Sequence, residues 1–365
     1  MPTLPRVMKA VLLTGFGGFD RLDWRADVPV PAPSAGEVLI RVGAAGINNT
    51  DINTRIGWYS RQVNEPTTAA AGADGCAAPR TGHTGWSGSV PQFPRIQGAD
   101  ACGVIVAVGA QVDVVRIGER VLVEPAFRAA GEPDHYHVAY FGSERDGAFA
   151  EFTCVPAAFA HRIKSPLTDV ELASFPCAYS AAENMLTRSA VIAGETVLVT
   201  GASGGVGSAA VQLARRRRAT VVAVAAAPKT SQVAALGAAR VVPREADLVA
   251  TLGPESVDAV VDVAGGPHFP QLLTLLKRGG RYATAGAIAG PIVELDLRTL
   301  YLKDLRLLGC TVLGAEVFTN LVRYIERGEI KPLVAKTYPL SEIVAAQQDF
   351  LSKRHVGKIV LLPSA

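Results

Sequence analysis

Residues 196–200 (Thr-Val-Leu-Val-Thr) form an apolar, β-prone run that passes directly into Gly201-Ala202-Ser203-Gly204-Gly205-Val206-Gly207, and residues 206–217 then read as a helix. A strand that turns this sharply into a helix needs residues without side chains at the turn. The turn also aims free N–H groups and the positive dipole end of the helix past the end of the strand. That arrangement suits the phosphates of a dinucleotide. A glycine run alone is a weak signal, but between a strand and a helix in an alternating series it is informative. The series is present here. Strands are predicted at Thr220–Ala225, 240–242, 259–263 and 281–285, and helices at 231–236 and 270–276. Repeated strand–helix–strand units imply a parallel sheet with helices on both faces, a doubly wound α/β unit of the Rossmann type.

The remainder of the chain has a different rhythm. Short strands are predicted at 10–14, 37–45, 103–108 and 120–124, without long helices between them, which reads as a barrel-like, mostly β domain. The tail adds helices at 318–327 and Ile343–Ser352 and the apolar strand Lys358–Leu362. A length of 365 residues fits two domains, and 49% hydrophobic against 19% charged residues supplies a large core. Two stretches, 60–94 and 126–147, show no clean period, and the second contains His135 and His137. Long loops of this kind inside a compact domain tend to be functional.

Charge and cysteine usage narrow the setting. A net charge of +3 argues for neither nucleic acid nor a membrane surface, and the basic run 215–218 reads as a solvated helix end. No apolar stretch of about 18 residues occurs, and the start has no signal-peptide pattern. The five cysteines are scattered without CxxC spacing, which points to a reducing, cytoplasmic environment.

The second strand of the series carries the clue to the cofactor. NAD-binding folds usually place an acid about 20 residues after the glycine loop, on the ribose 2′-hydroxyl. No Asp or Glu occurs here between Gly207 and Glu245. The strand ends in alanines and is followed by Lys229, and Arg244 follows the next strand. Small residues leave room for a 2′-phosphate and the cations would bind it, so the expected cofactor is NADPH. The candidate cofactor residues are Gly201, Ser203, Gly204, Gly205, Val206, Gly207, Lys229, Arg244, Gly286 and Lys358.

Five further segments fit one pattern: Ala45-Gly-Ile-Asn-Asn-Thr-Asp51 with Arg55-Ile-Gly57, Gly98-Ala-Asp-Ala-Cys-Gly103, Phe149-Ala-Glu-Phe152, the glycine loop, and His355-Val-Gly-Lys-Ile-Val360. Together they resemble the medium-chain dehydrogenase/reductases, in the quinone oxidoreductase branch, over nearly the whole chain. The resemblance implies a GroES-like, mostly β catalytic domain at 1–165 and 315–365, carrying the insert 60–94. The Rossmann cofactor domain, 166–314, is inserted in it. It also implies a homodimer joined near 299–313, through apolar residues such as Leu305, Leu307, Leu308, Val312 and Leu313.

The zinc-dependent members of the superfamily carry metal ligands where this chain has Asn48, Ala99 and Cys177, which implies a zinc-free site. Reduction of a quinone or an α,β-unsaturated carbonyl then becomes the expected chemistry, with charge developing on the carbonyl oxygen. Asn48 and Tyr59 are the expected donors and Asp51 an orienting neighbour. Tyr179 and Asn184 are expected near the nicotinamide by the same resemblance. Trp58, Trp86 and Phe93 either line an apolar pocket or pack the insert, which is itself expected to act as a lid. Two alternatives stay open: a zinc-type alcohol dehydrogenase, and a non-catalytic NADPH-binding structural or sensor protein.

Overall fold

The computed structural model describes residues 4–76, 85–128 and 138–364. His135 and His137, noted above in the stretch 126–147, lie outside the described residues. A six-stranded, wholly parallel sheet runs in the spatial order Arg240–Pro243, Thr220–Ala225, Thr196–Val199, Val257–Asp262, Leu276–Thr284, Arg306–Gly309. Side chains alternate along each strand. Val197, Val199, Val221 and Ala223 face one core, while Leu198, Val222, Val224 and Val260 face the other. The first core is closed by helices Pro176–Arg188, Gly205–Arg216 and Val317–Glu326. The second is closed by Leu248–Leu252 and Phe269–Leu275. Helix Val317–Glu326, which follows the expected boundary at 315, therefore packs in the core of the cofactor half through Phe318, Leu321 and Ile325.

The other half is built on strand Glu37–Gly46, which pairs with Cys102–Val108 on one side and with Phe152–Pro156 and the C-terminal strand Lys358–Leu362. Val360 sits opposite Gly46 and Leu361 opposite Ala45, so the last strand returns to the sheet that the N-terminal residues began. This return sets Lys358 beside the segment 46–51. Strand Leu22–Pro29 was not predicted because it is mostly exposed and has no apolar alternation, and edge strand Arg306–Gly309 is likewise exposed. Helices Asn49–Ile56 and Pro176–Arg188 were also absent from the sequence reading.

The insert departs from its expected form. Its first part is anchored: helix Ala69–Asp74 is capped by Thr68, whose hydroxyl accepts from the Ala71 N–H at 3.1 Å. Beneath it lies Arg55, fully buried, which donates to the carbonyls of Gly72 (2.8 Å) and Gly17 (3.0 Å) and to Gln347 Oε1 (3.0 Å). Burial draws its pKa down to about 10, so it stays charged at neutral pH. Among the described residues, no helix is long and apolar enough to cross a membrane.

Candidate active site

A cleft of about 730 Å³ opens at the C-terminal ends of the parallel strands. Its floor is the glycine loop. Gly201 has φ +56°, a left-handed conformation, and a Cβ on Gly207 would lie 2.2 Å from the Gly201 carbonyl oxygen. Both requirements are local, which is why the loop was legible in the sequence. Helix Gly205–Arg216 has no side-chain cap at Gly204, so its first N–H groups face the cleft uncapped. Opposite, the buried Asp262 accepts from Tyr282 Oη at 2.5 Å, from the Thr200 hydroxyl, and from the N–H groups of Ala264 and Gly265. It fixes the loop that forms the far wall.

Lys229 and Arg244 both line the cleft near Ala225 and Ala226. Lys229 Nζ donates to the carbonyls of Lys353 (2.5 Å) and His355 (2.8 Å). Burial and the neighbouring Arg244 lower its pKa. Arg244 stands at the rim, paired with Glu245 at 2.8 Å. Ser203, Gly204, Gly205 and Val206 line the cleft as well; Gly286 packs near Val263, where a Cβ would meet the carbonyl oxygen at 3.3 Å. The sequence reading missed Lys353, which also lines the cleft and donates to Asn49 Oδ1 at 3.1 Å.

Lys358 is placed behind the loop. Its stem passes Gly205, whose Cβ would lie 3.1 Å from Lys358 Cδ, and its ammonium is buried. Nζ contacts Asp100 Oδ2 at 2.7 Å and Asn48 Oδ1 at 2.5 Å. Asp100 also accepts from Asn48 Nδ2 at 2.9 Å and, through Oδ1, from the Cys177 N–H at 2.6 Å. A carboxylate thus caps helix Pro176–Arg188. The Asn48 amide, expected as a donor to substrate, is turned inward, with its remaining N–H toward the Gly46 carbonyl at 3.4 Å.

Asp51 completes a capping box, accepting from the Asn48 N–H at 2.7 Å, and also accepts from the Gly98 N–H at 3.2 Å. Burial pushes its carboxyl up to about 7 against these donors. Tyr59 Oη donates to Thr50 Oγ1 at 3.1 Å, and burial raises its pKa, so the phenol stays protonated at neutral pH.

Other expected positions lie elsewhere. Tyr179 is a core residue whose hydroxyl meets the Lys331 carbonyl at 2.7 Å. Asn184 is buried and holds the carbonyls of Cys310 and Val312. Both were expected near the nicotinamide; each instead ties helix Pro176–Arg188 to loops behind it. Trp58 donates to the Glu65 carbonyl, Trp86 stacks on Tyr140 with centroids 4.2 Å apart, and Phe93 meets Phe16 edge-on. These aromatics pack the long segment. Arg216 and Arg217, from the basic run, pair with Glu329 and Glu183.

Residues 34–165 match the family model of the alcohol dehydrogenase GroES-like domain, and residues 236–361 match that of the zinc-binding dehydrogenases. The chain is 29% identical to the quinone oxidoreductase of Lama guanicoe, with 99% of each chain covered. Among solved structures it is similar to a "putative alcohol dehydrogenase" from Sinorhizobium meliloti 1021, at 49% identity and a TM-score of 0.89, covering 100% of this chain and 98% of that one. It is also similar to a 2-octenoyl-CoA carboxylase reductase solved with NADP and 2-octenoyl-CoA, at 26% identity and a TM-score of 0.83, covering 99% and 88%.

A zinc ion, which the second family model suggests, does not fit the donors present. The Asp100 oxygens are occupied by an ammonium and two N–H donors. Burial raises the pKa of the Cys177 thiol, which keeps it neutral. Among the described residues no three His, Cys, Asp or Glu side chains converge. A structural zinc-type site needs four protein ligands and a catalytic one usually three.

The network yields a stability prediction. Lys358→Met should lower the unfolding free energy by about 3–5 kcal/mol, because it leaves the Asp100 charge buried and unpaired. Lys358→Met with Asp100→Leu should recover most of the loss. Urea denaturation of the three proteins checks this, and a loss under about 1 kcal/mol in the single variant would contradict it.

Proposed function

The chain belongs to the medium-chain dehydrogenase/reductase superfamily, in its quinone oxidoreductase-like branch, and from that premise we propose that it passes hydride from NADPH to a quinone or an α,β-unsaturated carbonyl. It is a nicotinamide-dependent oxidoreductase of that superfamily. The observation that carries the finer reading is the Asn48–Lys358–Asp100 network, which engages Asn48, at one of the positions where the zinc-dependent members hold ligands, and the carboxylate next to a second, Ala99. Removing hydride from an alcohol calls for help in removing its proton, and these residues offer no metal donor set for that. An acceptor with an activated double bond needs donors for its developing oxyanion instead.

The cofactor's nicotinamide supplies the hydride when bound. The uncapped N–H groups at 205–207 receive the pyrophosphate, and Lys229 and Arg244 receive the 2′-phosphate. The Tyr59 hydroxyl, turning its one hydrogen from Thr50 to the substrate and accepting from the Thr50 hydroxyl instead, donates to the substrate oxygen, while Asn48 and Asp51 set the position of helix Asn49–Ile56. Pro66 and Ile288 line the cleft, and Thr67 joins its two sides: its N–H donates to the Ile288 carbonyl and its hydroxyl to Asn53 Oδ1, each at 3.0 Å. This segment excludes water from the reacting end. The five free cysteines suit a reducing, cytoplasmic setting.

We further propose a homodimer formed at the outer strand of the parallel sheet. Strand Arg306–Gly309 is paired on one side, and Leu297, Tyr301, Leu302 and Leu307 nearby are exposed by 63, 61, 57 and 38%. Leu305 and Leu313, expected at that contact, are buried within the protomer.

Four measurements test these proposals. NADPH oxidation against quinones, enones, enals and simple aldehydes should be fast with the first three classes; turnover confined to aldehydes or alcohols would favour the alcohol dehydrogenase reading. Lys229→Ala should weaken NADPH at least about tenfold more than NADH, and Tyr59→Phe should lower kcat by about a hundredfold. Equal weakening of both cofactors, or an unchanged kcat, would remove these roles. Light scattering should give twice the 38.2 kDa chain mass, and a monomer at micromolar concentration would refute the dimer.

A further inference from the structure

Lys353 stands out among the residues of the cleft. It ends helix Ile343–Ser352 in a left-handed conformation, φ +52°, which turns its carbonyl toward Lys229 and its side chain to the cleft wall. Among the described residues Nζ has one hydrogen-bond partner, the neutral Asn49 Oδ1 at 3.1 Å, and it lies 3.8 Å from the Phe350 ring centroid. Among the described residues no carboxylate pairs with it. The charged and titratable groups around it are Lys229, from the turn Ala227–Lys229, with Arg244 beyond, and His355 on its own turn. Asp349, on its own helix, is held away by Tyr338 Oη at 2.8 Å.

Lys353, Lys229 and Arg244 thus share one wall, and among the described residues only Arg244, at the rim, is paired with a carboxylate, that of Glu245. Burial and Lys229 draw the Lys353 pKa down to about 7, and burial draws that of His355 down to about 4. In the free protein Lys353 is therefore largely neutral above neutral pH, and His355 carries no charge there. A dianionic phosphate at this wall would reverse the balance, because its two negative charges favour the charged ammonium.

We propose that Lys353 is a further phosphate-binding residue of the cleft and takes up a proton from solution as the 2′-phosphate of NADPH arrives. This rests on the NADPH reading above. The neutral amine gains a proton from the buffer and becomes the ammonium that holds the phosphate; no other bond changes. Discrimination between the phosphorylated and unphosphorylated cofactor is then proton-linked, and weakens as pH rises.

Isothermal titration calorimetry at pH 8, in HEPES and in Tris, reads the protons exchanged from the difference in buffer ionisation heat. The second pKa of a phosphate monoester is about 6. At pH 8 the ligand is already a dianion, so uptake reports on the protein. The expected result is close to one proton taken up per NADPH and little with NADH. Lys353→Arg, charged throughout, should take up none. Lys353→Met should take up none and should lose at least about tenfold of the NADPH-over-NADH affinity ratio. Preference for NADPH without uptake, or uptake that persists in Lys353→Arg, would overturn the inference and leave the cofactor reading standing. Equal uptake with NADH would assign Lys353 to the pyrophosphate and overturn its 2′-phosphate role. Equal affinity for both cofactors in the unmodified protein would instead fail the NADPH reading itself.

Discussion

The ion pair between Lys358 and Asp100 is the contact on which the two halves depend. Burying two charges costs several kcal/mol per ion, and good geometry is needed to offset it. Here the geometry is good: Nζ lies 2.7 Å from the carboxylate, whose oxygens also take the Asn48 amide and the Cys177 N–H. Besides the segment that carries Asp100, three pieces of chain meet at this point. They are the start of the last strand, the cap of helix Asn49–Ile56 and the start of helix Pro176–Arg188. Two glycines make room for it. A Cβ on Gly46 would fall 2.5 Å from Asp100 Oδ2, and one on Gly205 would fall 3.1 Å from Lys358 Cδ. The glycine loop therefore rests on the same lysine that orients Asn48. A shift at this pair would move the cofactor floor and helix Asn49–Ile56 together.

What the sequence disclosed, and what it hid, follows from the range of the forces involved. The parallel sheet and the glycine loop were legible because their requirements are local. Alternating apolar residues choose the two faces of Thr196–Val199, and only glycine takes the φ of +56° at Gly201 without strain. Lys229 was found through an absence, since no acid stands where an NAD-binding fold would need one. Lys353 carries no such mark. It lies 124 positions from Lys229, and only the left-handed turn after helix Ile343–Ser352 brings the two together. The orientation of Asn48 was hidden for the same reason. An amide reads as a donor in a sequence, and only the partners 52 and 310 positions away show that it is engaged.

The segment 60–76 shows how a weak sequence signal can conceal an ordered element. It shows no clean period because it is built of small residues, and smallness here serves close contact. A Cβ on Gly72 would meet Leu351 at 2.2 Å, and the Gly72 carbonyl is held by the buried Arg55. The helix Ala69–Asp74 is too short to be stable alone. It forms because Arg55 and the helix Ile343–Ser352 are already in place beneath it.

That anchoring changes what a lid in this position can do. Thr67 is bonded to Ile288 in the cofactor half and to Asn53 in the catalytic half, while its neighbour Pro66 lines the cleft. The strap is therefore held at both ends when the halves stand as they do here. A free loop could open over the substrate while the halves stayed together. This one can open only if the Thr67–Ile288 bond breaks or the halves separate. Separation would also draw Lys353, on the catalytic tail, away from Lys229, on the turn after strand Thr220–Ala225, and break the bond from the Lys229 ammonium to the Lys353 carbonyl. The Lys229–Lys353 contact and the Thr67 strap thus respond to the same movement.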